Sequence, residues 1–266
     1  MRKSALIVVM ERAVRKAGRG LVHDLGEVEQ LQVSRKGPAD FVSKADVKAE
    51  QTIREELSRA RPDFGFIQEE GGRIEAKDGD SYWIVDPLDG TTNFLHGIPH
   101  FAISVGLVQK GDVQAGMVYA PATDEMFYAE KGKGAFVNDK RLRVSGRTKM
   151  ADALFATGIP FMGKPGHDTN RNELKALTDN VSGIRRFGVA SLDMAWVAAG
   201  RFDGFWERGL KQWDIAAGII LVREAGGLVT DITGGRKMLE SGDIIAANNS
   251  LHAPLLKSLK AASSAA

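Results

Sequence analysis

The residue types best suited to chemistry fall in one segment, Trp83-Ile84-Val85-Asp86-Pro87-Leu88-Asp89-Gly90-Thr91-Thr92-Asn93-Phe94. A strand-like run delivers two carboxylates, Asp86 and Asp89, into a tight turn containing Pro87 and Gly90, and Thr91-Thr92-Asn93 then offers a helix start. Carboxylate oxygens are the hard ligands Mg2+ prefers, and one or two of them plus a substrate phosphate is its usual coordination. The first N–H groups of a helix have no intrahelical partner and are free to hold phosphate oxygens. The segment can therefore bring a divalent cation and a phosphate together.

Further acids lie elsewhere: Asp46 in Asp40-Phe41-Val42-Ser43-Lys44-Ala45-Asp46, Glu69 in Ile67-Gln68-Glu69-Glu70-Gly71, and Asp214 in Trp213-Asp214-Ile215-Ala216-Ala217-Gly218. Each also has a plainer reading. Asp89-Gly90 is a common turn pair and Thr91 a common N-cap. Glu69 and Glu70 could be solvated acids after a strand, and Asp214, ahead of an apolar run, is by default an N-cap. Asp46 could simply open the helix that follows it, and Glu207 alone is unremarkable. His96 and His100 are four apart, but Gly97 and Pro99 argue against a helical zinc face, so both read as structural or cleft-rim. Trp83 and Trp213 read as packing residues. There is no Gly-x-x-x-x-Gly-Lys-Ser/Thr loop, no Gly-x-Ser-x-Gly elbow and no Asp-x-Asp at this site.

The twelve-residue string resembles the signature of the inositol monophosphatase family, and the blocks around Asp46, Glu69 and Asp214 resemble the family's other blocks in the same order. With Gly188 to Glu207 included, the resemblance runs from about residue 5 to about residue 255. It implies a layered αβαβα sandwich of the inositol monophosphatase/fructose-1,6-bisphosphatase type, with the family's metal-assisted hydrolysis of phosphomonoesters. It implies Glu69, Asp86, Asp89 and Asp214 as metal ligands through carboxylates and Leu88 through its carbonyl, holding two or three Mg2+ ions, with Mn2+ a substitute. Thr91, paired with Asp46, would with Glu69 orient and activate the attacking water. Gly90 and Thr91 would hold the phosphate by backbone N–H groups, and Ala190 and Glu207 would meet the alcohol side. The implied substrate is inositol monophosphate or a related small polyol or sugar phosphate, with histidinol phosphate and fructose-1,6-bisphosphate as alternatives. A homodimer and lithium sensitivity are also implied. Residues 188–227 look like the bacterial suppressor-type subgroup, which adds a different class of role: binding to RNA polymerase or antitermination complexes. Two residues depart from the pattern. Gln68 stands where a smaller residue is usual, and Val189 replaces a hydroxyl residue, which removes a possible polar contact beside the substrate.

These residues must be positioned by the elements around them. Residues 4 to about 30 have helical apolar spacing, with a kink or break expected at Gly18-Arg19-Gly20. Lys36-Gly37-Pro38-Ala39 reads as a turn, 40–43 as extended, 44–60 as helix, 64–67 as strand, and 81–85 as a strand stopped at Asp86-Pro87. Residues 101–109, 113–120 and 125–130 read as an antiparallel meander. Beyond Gly146 strands alternate with helices. The expected division is therefore an N-terminal α+β half, residues 1–145, and a C-terminal α/β half, 146–266, with the metals at their junction.

Composition bounds the class. The chain of 266 residues has no cysteine, which removes thiolate chemistry and disulfides and suits a cytoplasmic setting. Lys and Arg number 36 against 34 Asp and Glu, too even for a broad nucleic-acid footprint. No stretch approaches the ~20 apolar residues of a membrane span, so a soluble protein is expected.

Overall fold

The structure is a computed structural model that describes residues 3–27, 33–37 and 40–263, with only the backbone described at 33–37 and 40–43. Helix α1 (Ala5–Leu25) is followed by the hairpin β1 (Val33–Gly37) and β2 (Asp40–Ser43), then by α2 (Lys44–Ala60). The first sheet is built from β3 (Gly65–Gln68), β4 (Gly72–Ile74), β5 (Ser81–Asp89), β6 (Ala102–Gln109), β7 (Asp112–Ala120), β8 (Glu125–Glu130), β9 (Gly134–Val137) and β10 (Lys140–Arg141). Its order is β10-β9-β8-β7-β6-β5-β3-β4, antiparallel except for the β3/β5 pair. A short helix, α3 (Thr91–Leu95), follows β5. The second sheet has the order β12-β11-β13-β15-β14 and contains β11 (Leu154–Thr157), β12 (Gly183–Arg185), β13 (Gly204–Glu207), β14 (Leu228–Thr230) and β15 (Ile244–Ala247). It is mixed: β11 runs parallel to β12 and β13, while β15 is antiparallel to β13 and β14. Between its strands lie α4 (His167–Thr178), α5 (Ala190–Ala198), α6 (Gln212–Glu224) and α7 (Met238–Ser241), and α8 (His252–Ser263) ends the chain.

Five layers result, held by three apolar clusters, the middle one of which fills both sides of the central helix layer. The stripe Ile7, Met10, Val14 and Leu21 of α1, with Ile53 and Leu57 of α2, covers Trp83, Val105 and Met117 on one face of the first sheet. Helices α5 and α6 lie between the two sheets, where Met194, Ile215 and Ile219 join Ile84 and Val118 of the first to Phe205 and Ile244 of the second. Helices α4 and α8 close the far side over Phe155, Trp206 and Ile245. Sandwiching explains why α6 is buried without interruption from Ile215 to Val222, where a surface helix would show one apolar stripe. The expected αβαβα layering is what the chain adopts.

Three local expectations are corrected. Helix α1 runs unbroken through Gly18-Arg19-Gly20, because a side chain at Gly18 would meet Tyr119 at 2.6 Å and close packing sets the residue there. It ends at Leu25; of the expected extension, residues 28–30 lie outside the described residues, as do Pro38 and Ala39 of the expected turn. Strand β5 does not stop at Asp86-Pro87 but continues to Asp89 through a bulge. Proline is tolerated there because the ladder is interrupted.

Candidate active site

The bulge is what makes two aspartates three residues apart act together. Asp86 is opposite Ser104 and Asp89 opposite Ala102, so three steps on β5 match two on β6. In a regular strand residues 86 and 89 would face opposite sides of the sheet. Apolar neighbours record the phase change: Trp83 and Val85 join the cluster under α1 and α2, Ile84 joins the other, and Leu88 falls back with Trp83. Asp86 and Asp89 thereby share the side facing α5 and α6. The Leu88 N–H donates to Asp86 Oδ1 at 2.9 Å, tying the bulge down. Gly90 follows with φ of 95°, a left-handed conformation favouring glycine, and its site has no room for a side chain because Val189 Cγ2 would be 2.8 Å away. Gly90, not Thr91, is the N-cap of α3, which corrects the N-cap reading of Thr91.

Glu69 reaches the same place from the β3–β4 hairpin. Its N–H donates to the Val85 carbonyl at 3.2 Å, immediately before Asp86, and its side chain is within hydrogen-bonding reach of Asp86. Asp214 arrives from the other half on α6. Gly106 and Gly116 are paired across β6 and β7. A methyl on either would lie 2.5–2.9 Å from Ile220, Ala216 or Ala217, so this glycine pair forms the seat that lets α6 approach the sheet. Ser104 Oγ donates to the Trp213 carbonyl at 2.9 Å and fixes the helix start beside β5. Asp214 is the third helical residue, not the N-cap; its carboxylate accepts the Lys211 N–H at 2.7 Å, as in a capping box.

The electrostatics follow from this gathering. Burial, then the charges of Glu69, Asp89 and Asp214, push the Asp86 carboxyl well above the usual carboxylate range. Asp214 is raised in the same way by burial and by Asp89. Burial lifts Asp89 to about 6 even though the Ser191 N–H donates to its Oδ2 at 2.8 Å. Glu207, whose carboxylate lies over Gly158, is pushed by burial up to about 7 against the pull of Arg186. Among the described residues no three His, Asp or Glu side chains are already set around one point as a closed cage. The donor set is nonetheless oxygen-rich and strongly anionic, and a hard divalent cation suits it in type and in charge.

The remaining residues with expected roles are placed as follows. Thr91 Oγ1 lies 3.2 Å from Asp46 Oδ1 and 3.0 Å from the Leu88 carbonyl; its single proton serves one at a time, leaving its lone pairs open to a water. Asp46 is buried at 1% exposure, more than helix opening requires. The Ala190 N–H is directed at Asp89. Val189 is fully buried, so its missing hydroxyl alters packing under Gly90 and not an exposed cleft wall. Gln68 is buried with no partner for either amide atom. His96 is exposed, and His100 packs against Phe187 and Trp196. Asn93 Nδ2 donates to the carbonyls of His100 and Phe187, both at 2.9 Å, joining α3 to the segment before α5.

Three residues of the site were not singled out from sequence. Arg186 is exposed and draws down the carboxyls of Asp89 and Glu207. Asp193 is buried beside Glu207 and Asp89, and its carboxyl is raised mainly by burial. Glu50 is buried on α2 and binds the turn after Glu69. Only Glu50 carried a signal: it is four residues past Asp46 among the buried residues Ala45, Ala49, Ile53, Glu56 and Leu57.

Known proteins resemble this chain over nearly its whole length. The sequence model described as the inositol monophosphatase family matches residues 2–264. The chain is 59% identical over 248 residues, 93% of each protein, to an inositol-1-monophosphatase of Rhizobium meliloti (strain 1021). It is 45% identical over 253 residues to a Nus factor SuhB of Pseudomonas aeruginosa, covering 94% of this chain and 93% of the relative. Its fold matches the crystal structure of the extragenic suppressor protein suhB from Bartonella henselae with a TM-score of 0.94 at 56% identity, over 97% of this chain and 99% of that one.

Proposed function

The chain belongs to the inositol monophosphatase family, a family of phosphatases, and from that premise we propose that it is a Mg2+-dependent phosphomonoesterase acting on inositol monophosphate or a closely related small polyol or sugar phosphate. The observation that carries the reading is the bulge that turns Asp86 and Asp89 to one side of β5, with Glu69 tied beside Asp86 and the α6 start that bears Asp214 fixed to β6 by Ser104. Burying carboxylates against one another is costly unless a positive charge joins them. Glu69, Asp86, Asp89 and Asp214, with the Leu88 carbonyl, would hold the cations. Divalent ions bound there would polarise the phosphoryl oxygens, lower the pKa of water and offset the negative charge developing on the leaving alkoxide oxygen.

The chain's own groups do the positioning. Gly90 and Thr91 present backbone N–H groups to the phosphate. Thr91, oriented by Asp46, and Glu69 align the attacking water and take its proton. Glu207, close to neutral pH in its titration, and Arg186 meet the hydroxyl face of the substrate. A panel of inositol-1-phosphate, histidinol phosphate, fructose-1,6-bisphosphate and adenosine 3′,5′-bisphosphate, assayed for phosphate release with Mg2+ and with EDTA, tests the reading. Mg2+-dependent turnover of inositol-1-phosphate is expected, abolished in Asp89→Asn; turnover indifferent to chelator would rule it out.

The likeness to a relative named as a Nus factor favours a second role as a binding partner in transcription complexes. Co-purification with antitermination factors at moderate salt checks it. Retention by Asp89→Asn would separate that binding from catalysis.

A further inference from the structure

Helix α2 packs against α1 and the first sheet, and the residues it buries are Ala45, Asp46, Ala49, Glu50, Ile53, Glu56 and Leu57. Glu56 is matched by Arg12, Lys16 and Arg59 at the protein edge. Asp46 meets Thr91. Glu50, one helical turn further on and 4% exposed, has another use. Its Oε2 accepts the backbone N–H of Glu70 at 2.9 Å, and its carboxylate also accepts the N–H of Gly71. Those two amides lie in the three-residue turn Glu69-Glu70-Gly71 that joins β3 to β4. The Glu50 carboxylate lies close against Gly71: a side chain there would be 2.8 Å from Glu50 Oε1, 3.2 Å from Gln68 Oε1 and 3.5 Å from Arg54 Nη1, and would press on the carboxylate. Gln68 itself offers the turn no hydrogen bond.

We propose that Glu50 is a positioning residue for Glu69: by accepting two successive turn amides it fixes the hairpin so that the Glu69 carboxylate stays beside Asp86 before any cation arrives. The inference rests on the reading of Glu69 as a metal ligand and goes beyond it. Without this acceptor the two turn amides lose their carboxylate partner, and the Glu69 side chain is held less firmly against the repulsion of Asp86 and Asp214. Helix packing alone does not require an acid at position 50, since an apolar residue would continue the stripe at lower desolvation cost. Outer partners of metal ligands typically influence metal affinity by roughly 10–100-fold, and Glu50 is such a partner through the backbone.

The test compares wild-type protein, Glu50→Ala, Glu50→Gln and Glu69→Gln, each purified metal-free. Mn2+ binding is measured by calorimetry and amide hydrogen exchange at Glu70 and Gly71 by NMR. For Glu50→Ala the Mn2+ dissociation constant should rise roughly 10–100-fold, with faster exchange at both amides and an unchanged KM at saturating metal. Glu50→Gln keeps one acceptor oxygen and should fall between. Glu69→Gln should weaken Mn2+ binding without altering exchange at Glu70 and Gly71. Wild-type Mn2+ affinity in Glu50→Ala, or weakened affinity with unaltered exchange, overturns the proposal while leaving Glu69 a ligand. Wild-type affinity in Glu69→Gln removes the ligand reading and the proposal together. Should Glu50→Ala fail to fold, Glu50→Gln decides alone, and unchanged Mn2+ affinity in it is the refuting result.

Discussion

Adding one methyl group to Gly116 should damage catalysis from a strand that carries none of the proposed ligands. Gly116 lies on β7, faces α6, and is distant in sequence from every proposed ligand. A Cβ built there lies 2.5 Å from Ile220 Cγ2 and 2.7 Å from both Cα and the carbonyl oxygen of Ala217. Ordinary carbon contacts are about 3.5–4.0 Å, and the Ala217 backbone cannot rotate away, so α6 must retreat by about 1 Å. Asp214, in the first turn of α6, moves with it. Overpacking of this kind costs about 1–3 kcal/mol of stability, and a displacement near 1 Å of a group that positions reactants costs about 100-fold in rate. Phosphate release from inositol-1-phosphate at saturating Mg2+, together with a thermal melt, reads both effects for Gly116→Ala. The matched control is Gly146→Ala, where no atom lies within 4 Å of the added carbon and both values should stay at wild type. A destabilised Gly116→Ala protein with wild-type kcat would refute the idea that the glycine seat sets the position of Asp214.

Helix α1 supplies a second test: Gly20→Ala, with open space around the new carbon, should stabilise by up to about 1 kcal/mol, whereas Gly18→Ala, pressed against Tyr119 at 2.6 Å, should destabilise; equal melting shifts for the two would contradict it. Stability of the metal-free protein should fall as pH rises. Asp89 at about 6 and Glu207 at about 7 are raised above their unfolded values near 4, so the native state holds protons the unfolded chain has released. That contribution is fully present below about pH 4 and is lost on passing through pH 6 to 7. In EDTA the Tm should therefore be higher at pH 5 than at pH 8, with Mg2+ restoring it at pH 8; a Tm that rises from pH 5 to 8 without metal would oppose this. Thr91→Ala should lower kcat more than it raises KM, because the role proposed for the hydroxyl is toward the attacking water and not the bound phosphate; a pure KM effect would remove that role.

How much of this was legible in the amino-acid order depends on the range of the signal. Strand and helix periods report burial by neighbours a few residues away, and the meander of β6 to β8 and the α/β alternation beyond Gly146 were readable from them. Local rules failed where tertiary contacts overrode them. Gly18 looks like a helix breaker but is a packing choice made by Tyr119, and Pro87 looks like a strand stop but occupies a bulge. Asp214 has the residue type and place of an N-cap, yet Lys211 begins the helix and Asp214 folds back from the third position. The acids Asp86 and Asp89 announced themselves by spacing, although the bulge that makes the spacing work did not. Arg186 and Asp193 acquire meaning only when β13 and β5 bring Glu207 and Asp89 to them, and no nearby residue foretells that.

Crystals grown with Mn2+ and measured at the manganese edge test most directly whether the four acids gather a cation. The expected anomalous peaks lie among Glu69, Asp86, Asp89 and Asp214, within reach of the Leu88 carbonyl. Manganese bound elsewhere, with Asp214 still turned onto the Lys211 amide and remote from any peak, would contradict the proposed site.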